Sequence, residues 1–374
     1  MAHLYCVSGL ICYSFFKYHA KYNFHLRTIQ AFLRCVKREL ACSSLFFKYL
    51  HSSTPNLKFK ICTHGNHKTQ SSDKQDLSDI HFTSWVDSVL PKKIRPYARL
   101  ARLDRPVGTW LTLLPCLAAL VQASGRLPNL YHLVVFSLGA LIMRSAGSTA
   151  NDIADRKFDA HVERTRHRPL ASGELTLKQG LVFLMFELLL AACLLVFLNP
   201  LSRWLALALI PIVFIYPLCK RFTYWPQVPL GIAFNWGMLM AWSDIKGFLT
   251  AGGIVMWLGA VCWQVGYDSI YAYVDIADDA KLKLRSTALF FAKRGRVWIS
   301  LFYTSTVLFW CWGGLLVGMR PAYFIGMILI ALHFAWQMRV FDVNQASNNM
   351  QLFKSNVIPG VILLMSCLTG VFFS

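Results

Sequence analysis

The sequence predicts an all-α integral membrane protein with about nine transmembrane helices. Three observations carry this. Of its 374 residues, 56% are hydrophobic and only 15% charged, where soluble domains carry about 25% charged residues. Mean hydropathy is +0.44. From Pro96 onward, apolar runs recur near 107–123, 130–150, 178–198, 201–217, 226–243, 249–267, 297–318, 321–338 and 356–373. Each approaches the roughly 20 residues that cross a bilayer as a helix. A closed barrel would need short alternating segments instead, and none is visible.

The net charge of +20 does not mark a nucleic-acid binder, because the cations sit in loops between apolar runs rather than on one soluble face. The 11 cysteines are scattered singly, with no C-x-x-C pair, and read as small apolar residues rather than a disulfide framework or zinc site.

Taken in order, residues 1–72 form a separate leader. Ten basic residues there (Lys17, Lys21, Arg27, Arg34, Lys37, Arg38, Lys48, Lys58, Lys60 and Lys68) face a single acid, Glu39. A basic, hydroxyl-rich, acid-poor leader fits a mitochondrial transit peptide. The apolar Leu4–Phe16 stretch raises a secretory signal as the alternative, against which the segment behind it counts. Residues 73–95 read as a linker and 96–374 as the membrane domain.

Loop charge sets the orientation. The segment before the first run holds Lys92, Lys93, Arg95, Arg99, Arg102 and Arg105. Loops after even-numbered runs hold Arg156, Arg164, Arg166 and Arg168; Lys220 and Arg221; Lys281, Lys283, Arg285, Lys293, Arg294 and Arg296; and Arg339 and Lys354. The other loops hold only Arg126, Arg203, Lys246 and Arg320. The first set therefore faces the positive side, which in a mitochondrial inner membrane is the matrix.

Two acidic clusters end two of the runs on that side. Asn151, Asp155 and Asp159 recur every four residues, one face of a helix, and Asp268, Asp275 and Asp279 are spaced seven and four apart. A solvated helix end is the bland account of one such cluster; two at one membrane edge count against it, because carboxylates there are costly without a positive partner. Hard oxygen donors flanked by arginines suit Mg²⁺ holding a phosphorylated substrate. Asn151, Asp155 and Asp159 serve one ion on this reading, Asp275 and Asp279 a second. Arg156, Arg164, Arg168, Lys281 and Arg285 are the nearby diphosphate donors. Arg144 lies seven residues before Asn151, inside an apolar run. A buried arginine needs an anion, which is either a cluster carboxylate or a substrate carboxylate. Among the aromatic residues of these runs, Trp110, Tyr216, Phe234, Trp236, Tyr267, Tyr271 and Tyr273, some line a greasy channel and the rest pack or face lipid.

Five blocks in order carry a family resemblance: RLDRPVGTW (102–110), MRSAGSTANDIADRKFD (143–159), RTRHRPLASG (164–173), YPLCKRFTYWPQVPLG (216–231) and YDSIYAYVDIADDAKLKLRSTALFF (267–291). The sequence resembles the 4-hydroxybenzoate polyprenyltransferases of the membrane aromatic prenyltransferase superfamily over residues 96–374, departing from their pattern at Ser148, Thr149 and Ala150. The resemblance implies nine helices around a central cavity and Mg²⁺-dependent transfer of a polyprenyl chain from its diphosphate to the ring of 4-hydroxybenzoate, an early step of ubiquinone biosynthesis. The partners it implies are polyprenyl diphosphate, 4-hydroxybenzoate, the lipid bilayer and other proteins of ubiquinone biosynthesis, with no nucleic acid. Its metal and diphosphate residues carry over to Asn151, Asp155, Asp159, Asp268, Asp275 and Asp279, with Arg102, Arg144, Arg156, Arg164, Arg168, Lys220, Tyr267, Lys281 and Arg285 as substrate contacts. Asp268 and Arg144 are the catalytic candidates, Asp268 orienting or deprotonating the phenol. Haem or homogentisate prenyltransferases, and a transporter with intramembrane carboxylates, remain alternatives.

Overall fold

Among the described residues, nine long helices follow the apolar runs of the sequence. They are α1 (Val107–Ser124), α2 (Leu130–Asp159), α3 (Leu177–Leu195), α4 (Pro200–Ile215), α5 (Gln227–Lys246), α6 (Ala251–Ala272), α7 (Gly295–Val317), α8 (Pro321–Val340) and α9 (Val357–Phe372). The structure is a computed structural model and describes residues 84–372; the leader 1–72 and the first part of the linker lie outside the described residues. No strand occurs among them, and the chain is an all-α membrane protein.

Among the described residues, seven helical stretches are long and apolar enough to cross a membrane. The two long helices outside that set are α5 and α6. The sequence shows why: α5 carries Gln227, Asn235, Ser243 and Asp244, and α6 carries Gln264, Tyr267 and Asp268, side chains that lower mean hydropathy and belong to an interior rather than to lipid.

Neighbours in sequence pack as neighbours in space. Each helix from α1 to α8 touches the next, and α9 returns to α1, closing a ring. The α3–α4 junction is the thinnest of these contacts. Helix α3 is apolar nearly all round; Leu181, Val182, Met185, Phe186 and Leu189 are exposed and form a face suited to lipid. Its one acid, Glu187, is buried and accepts a hydrogen bond from Ser145 of α2. A polar clasp is one of the few forces that join helices within lipid.

Local chemistry sets the helix ends. Asn129, Asn199 and Thr250 cap α2, α4 and α6 through their side chains, and Thr176 with Gln179 forms a capping box on α3. Gly125, Gly247 and Gly318 end α1, α5 and α7 in the left-handed conformation. The linker expected over 73–95 holds structure from Ser84 on. Trp85–Val89 is a short helix, Trp85 Nε1 donates to Leu103 O at 2.9 Å, and Asp87 pairs with Arg99. Ser84 and Arg99 hold the Asp87 carboxyl below its ordinary range despite the opposing push of burial.

Candidate active site

All but the deepest site residues gather at one end of the ring. Helix α2 ends at Asp159, the 3₁₀ turn Tyr216–Arg221 follows α4, and α6 runs into a short helix, Ile276–Lys281, begun at Asp275. A cavity of about 370 Å³ opens there. It is lined by Arg102, Arg144, Asn151, Arg168, Lys220, Tyr267, Asp268, Asp275 and Asp279 among others. Residues more than 170 positions apart in the chain thus face one space, where Asn151 of the first cluster meets Asp268, Asp275 and Asp279 of the second.

The remaining candidates stand differently. Asp155 and Asp159 are not among the lining residues; Asp159 is buried against Arg168 Nη1 at 2.9 Å. Arg164 sits one bond behind the wall, giving Nη2 to Asp275 at 2.7 Å and Nη1 to Tyr271 Oη at 2.5 Å. Arg285 turns away from the cavity, donating to Phe222 O at 2.5 Å and lying over the Tyr224 ring. Lys281 is exposed and pairs with Asp278 at 3.5 Å. Arg156 is half-buried and does not line the cavity.

The carboxylates are matched with cations. Arg102 Nη2 reaches Asp152 Oδ1 at 2.6 Å and Arg168 Nη1 reaches the same oxygen at 3.2 Å. Lys220 Nζ lies 3.9 Å from Asp279 Oδ1. Burial raises the Asp279 carboxyl, with Lys220 opposing. Burial likewise raises Asp104 at the mouth, against Arg105 and Arg102. Arg102 itself has φ 58, a left-handed conformation that costs a non-glycine residue about 1 kcal/mol or more and is held by its buried bond to Asp152.

Deeper in the cavity the character changes. Arg144 projects from α2 over the Phe234 ring, 5.2 Å from its centroid, and bonds Ser148 one turn on. It makes no ion pair with a carboxylate among the described residues, and its Nε has no hydrogen-bond partner. The first of the two expectations for this residue, a cluster carboxylate, is thus not what the structure holds. Ser148, a departure from the family pattern, supplies its neutral partner. Gly108 of α1 lies so close that a Cβ there would strike the guanidinium. Tyr267 is buried beside Trp263 and Phe353.

The donor set fits Mg²⁺ held jointly with a diphosphate. Among the described residues no group of three His, Cys, Asp or Glu closes on a metal position. Mg²⁺ needs no such cage; it takes one or two carboxylates and fills its shell from phosphate oxygens and water. Oxygen donors on two walls, with Arg102, Arg168 and Lys220 between them, meet that requirement.

Sequence reasoning gave no role to Asp152, Asp104, Gly108 or Gln264. Gly108 lies within the RLDRPVGTW block, and Gln264 is a lone amide in an apolar run, a signal of the kind that marks an interior polar site.

The UbiA prenyltransferase family matches residues 112–363. The mitochondrial 4-hydroxybenzoate polyprenyltransferase of Arabidopsis thaliana is 38% identical over 82% of this chain and 76% of its own length. That of Rattus norvegicus is 40% identical over 75% of this chain and 76% of its own. The 4-hydroxybenzoate geranyltransferase 2 of Lithospermum erythrorhizon is 38% identical over 81% of this chain and 99% of its own. Among solved structures, the apo UbiA homolog from Aeropyrum pernix K1 has a TM-score of 0.61 at 20% identity, over 69% of this chain and 96% of that one. The UbiA homolog from Archaeoglobus fulgidus bound to GPP and Mg²⁺ has a TM-score of 0.59 at 20% identity, over 74% and 99%. These two share the fold. With a family match across more than half its length and relatives of this identity, the chain belongs to the UbiA prenyltransferase family.

Proposed function

We propose that this protein transfers a polyprenyl chain from polyprenyl diphosphate to the ring carbon of 4-hydroxybenzoate ortho to the hydroxyl, as an early step of ubiquinone biosynthesis. It works in the mitochondrial inner membrane with its site open to the matrix. The observation that carries the reading is the two-level cavity. Carboxylates and cations from two clusters ring its outer level, and a buried arginine without an anionic partner lies at its deeper one. A diphosphate suits the first and an aromatic carboxylate the second.

Asn151 on one side, and Asp275 and Asp279 on the other, line the cavity and would hold magnesium, with Asp155 and Asp159, further along the same face of α2, as the additional donors of the first cluster. A magnesium ion held by them would supply charge neutralisation at the diphosphate leaving group. Arg102, Arg168 and Lys220, which line the cavity, receive the diphosphate oxygens. Arg164 and Arg285 act from behind them. Arg144 grips the substrate carboxylate with its planar fork, while Phe234 beneath it and Tyr267 nearby close the greasy pocket. A ring held there meets C1 of the prenyl chain. The new C–C bond forms at the ortho carbon, the diphosphate leaves, and the proton displaced from that carbon passes to Asp268.

The test is mass spectrometry of the product made by purified protein in liposomes from 4-hydroxybenzoate, Mg²⁺ and a mixture of polyprenyl diphosphates. A C-prenylated 4-hydroxybenzoate is expected. Turnover of homogentisate or haem with 4-hydroxybenzoate untouched would overturn the reading, as would no consumption of diphosphate at all.

A further inference from the structure

Among the buried polar groups on the cavity wall that the mechanism above leaves unused is an amide of α6. Gln264 of α6 is 1% exposed, lines the cavity, and its Oε1 has no hydrogen-bond partner. An unpaired buried carbonyl is costly, and native proteins seldom leave one without a reason. The surroundings of this amide are built for it. A Cβ at Gly231 of α5 would lie 2.6 Å from Gln264 Oε1 and 3.3 Å from the Val261 carbonyl oxygen. Only a glycine at 231 leaves the amide where it is.

Two contacts to α5 relate Gln264 to Arg144. Gly231 meets Gln264 and Phe234 meets Arg144. Residues three apart share a helical face and are separated by a rise of about 4.5 Å. The two side chains therefore approach one face of α5 about a turn apart, with Gln264 nearer the acidic end. Asp268 lies a further turn along α6. Each is backed by a glycine: Gly231 for Gln264 and Gly108 for Arg144.

A para-substituted hydroxy acid has two polar ends of different chemistry. Its carboxylate only accepts hydrogen bonds; its hydroxyl both donates and accepts. Arg144 only donates and matches the carboxylate. Gln264 Oε1 only accepts and matches the hydroxyl, and a hydroxyl satisfies an amide in either flip state. We propose that Gln264 is the specificity-determining residue for the ring hydroxyl of the aromatic acceptor, an inference that rests on the acceptor reading above. A site built to hydrogen-bond a substrate hydroxyl discriminates strongly against the analogue that lacks it. The bond also fixes which edge of the ring is turned toward the diphosphate.

The experiment is calorimetric binding of 4-hydroxybenzoate and of benzoate to the full chain in lipid nanodiscs, with Mg²⁺ and inorganic diphosphate present. The native protein is expected to bind 4-hydroxybenzoate at least about tenfold more tightly than benzoate. Gln264→Met, unbranched and of similar volume, should remove that preference while leaving benzoate binding unchanged. Gly231→Ala keeps the amide but displaces it, and should weaken the preference in the same direction. Arg144→Lys should weaken both ligands alike, since both carry the carboxylate. Retention of the full preference in both Gln264→Met and Gly231→Ala, or equal loss of both ligands, would overturn the proposal and leave the prenyltransferase reading standing. Failure of the native protein to bind either acid would overturn the acceptor reading itself, and this proposal with it.

Discussion

Asp152 is the carboxylate on which two arginines converge, Arg102 from 50 residues away and Arg168 from 16. Its side chain is 1% exposed and theirs 9% and 10%, so solvent does little to screen the set. Removing the shared anion takes the carboxylate partner from buried Arg102 and leaves Arg168 with Asp159, a loss of the order of 3–5 kcal/mol. Asp152→Ala is therefore expected to lower the thermal midpoint in detergent by several degrees, and an unchanged midpoint would mean the network holds nothing together. Sequence alone showed the residue and not its importance. The four-residue spacing singles out Asn151, Asp155 and Asp159; Asp152 lies off that face, and its partners arrive only through the fold. Arg144 was legible because an arginine inside an apolar run demands an anion. What was not legible is that the chain leaves the place open. Arg144→Lys loses the bidentate fork and is expected to raise the KM for 4-hydroxybenzoate about tenfold with the diphosphate KM little changed. Gly108→Ala, which presses on the same guanidinium, should do likewise. Equal effects on both substrates would assign Arg144 a purely structural part.

At the scale of elements, periodicity and hydrophobicity placed the long helices, because a helix in lipid must satisfy its own backbone and cover its length with apolar side chains. The loops were harder. Arg285 and Lys281 look alike in sequence, two cations beside an acidic run. The structure separates them. Arg285 N donates to the Lys220 carbonyl at 2.8 Å, and its guanidinium bonds Phe222 O and covers Tyr224. It straps the loop that carries Lys220 to the segment after α6. Lys281 is exposed on Asp278, where an ion pair is worth little. Arg285→Ala is expected to raise the KM for the prenyl diphosphate by about an order of magnitude through Lys220, whereas Lys281→Ala should stay within about twofold of the native rate. Steady-state kinetics on both variants decides this. The structure within the expected linker was hidden for a related reason. Trp85, Val86 and Asp87 look unremarkable in a polar stretch and acquire meaning only against Leu103 and Arg99.

Over the whole molecule, counting loop cations assigns both acidic clusters to one side of the bilayer, and the ring of helices brings Asn151 of the first and Asp268, Asp275 and Asp279 of the second to one cavity. The matrix orientation that follows is open to direct test. Cysteines introduced at Lys246, Arg168 and Lys220 should differ in intact mitoplasts. An impermeant reagent is expected to label position 246 and to miss the other two, while the reverse pattern would remove the charge argument. A chain begun near Asp79 should keep its activity in membranes and lose mitochondrial import; full import would remove the transit-peptide reading.

The central claim is that the two acidic clusters act as one unit on one magnesium-bound diphosphate. The measurement is the rate of prenyl transfer by Asp155→Asn, Asp275→Asn and the double variant, each checked for folding by its thermal midpoint. Amide and carboxylate differ little in volume, so the folds should survive. Each single variant is expected to lose several orders of magnitude, since metal-assisted charge neutralisation is worth several kcal/mol, and raised Mg²⁺ should restore part of it. The double variant should be little slower than the worse single one, as for residues that function together. A double variant whose loss is the product of the two single losses would mean independent clusters and would contradict the account.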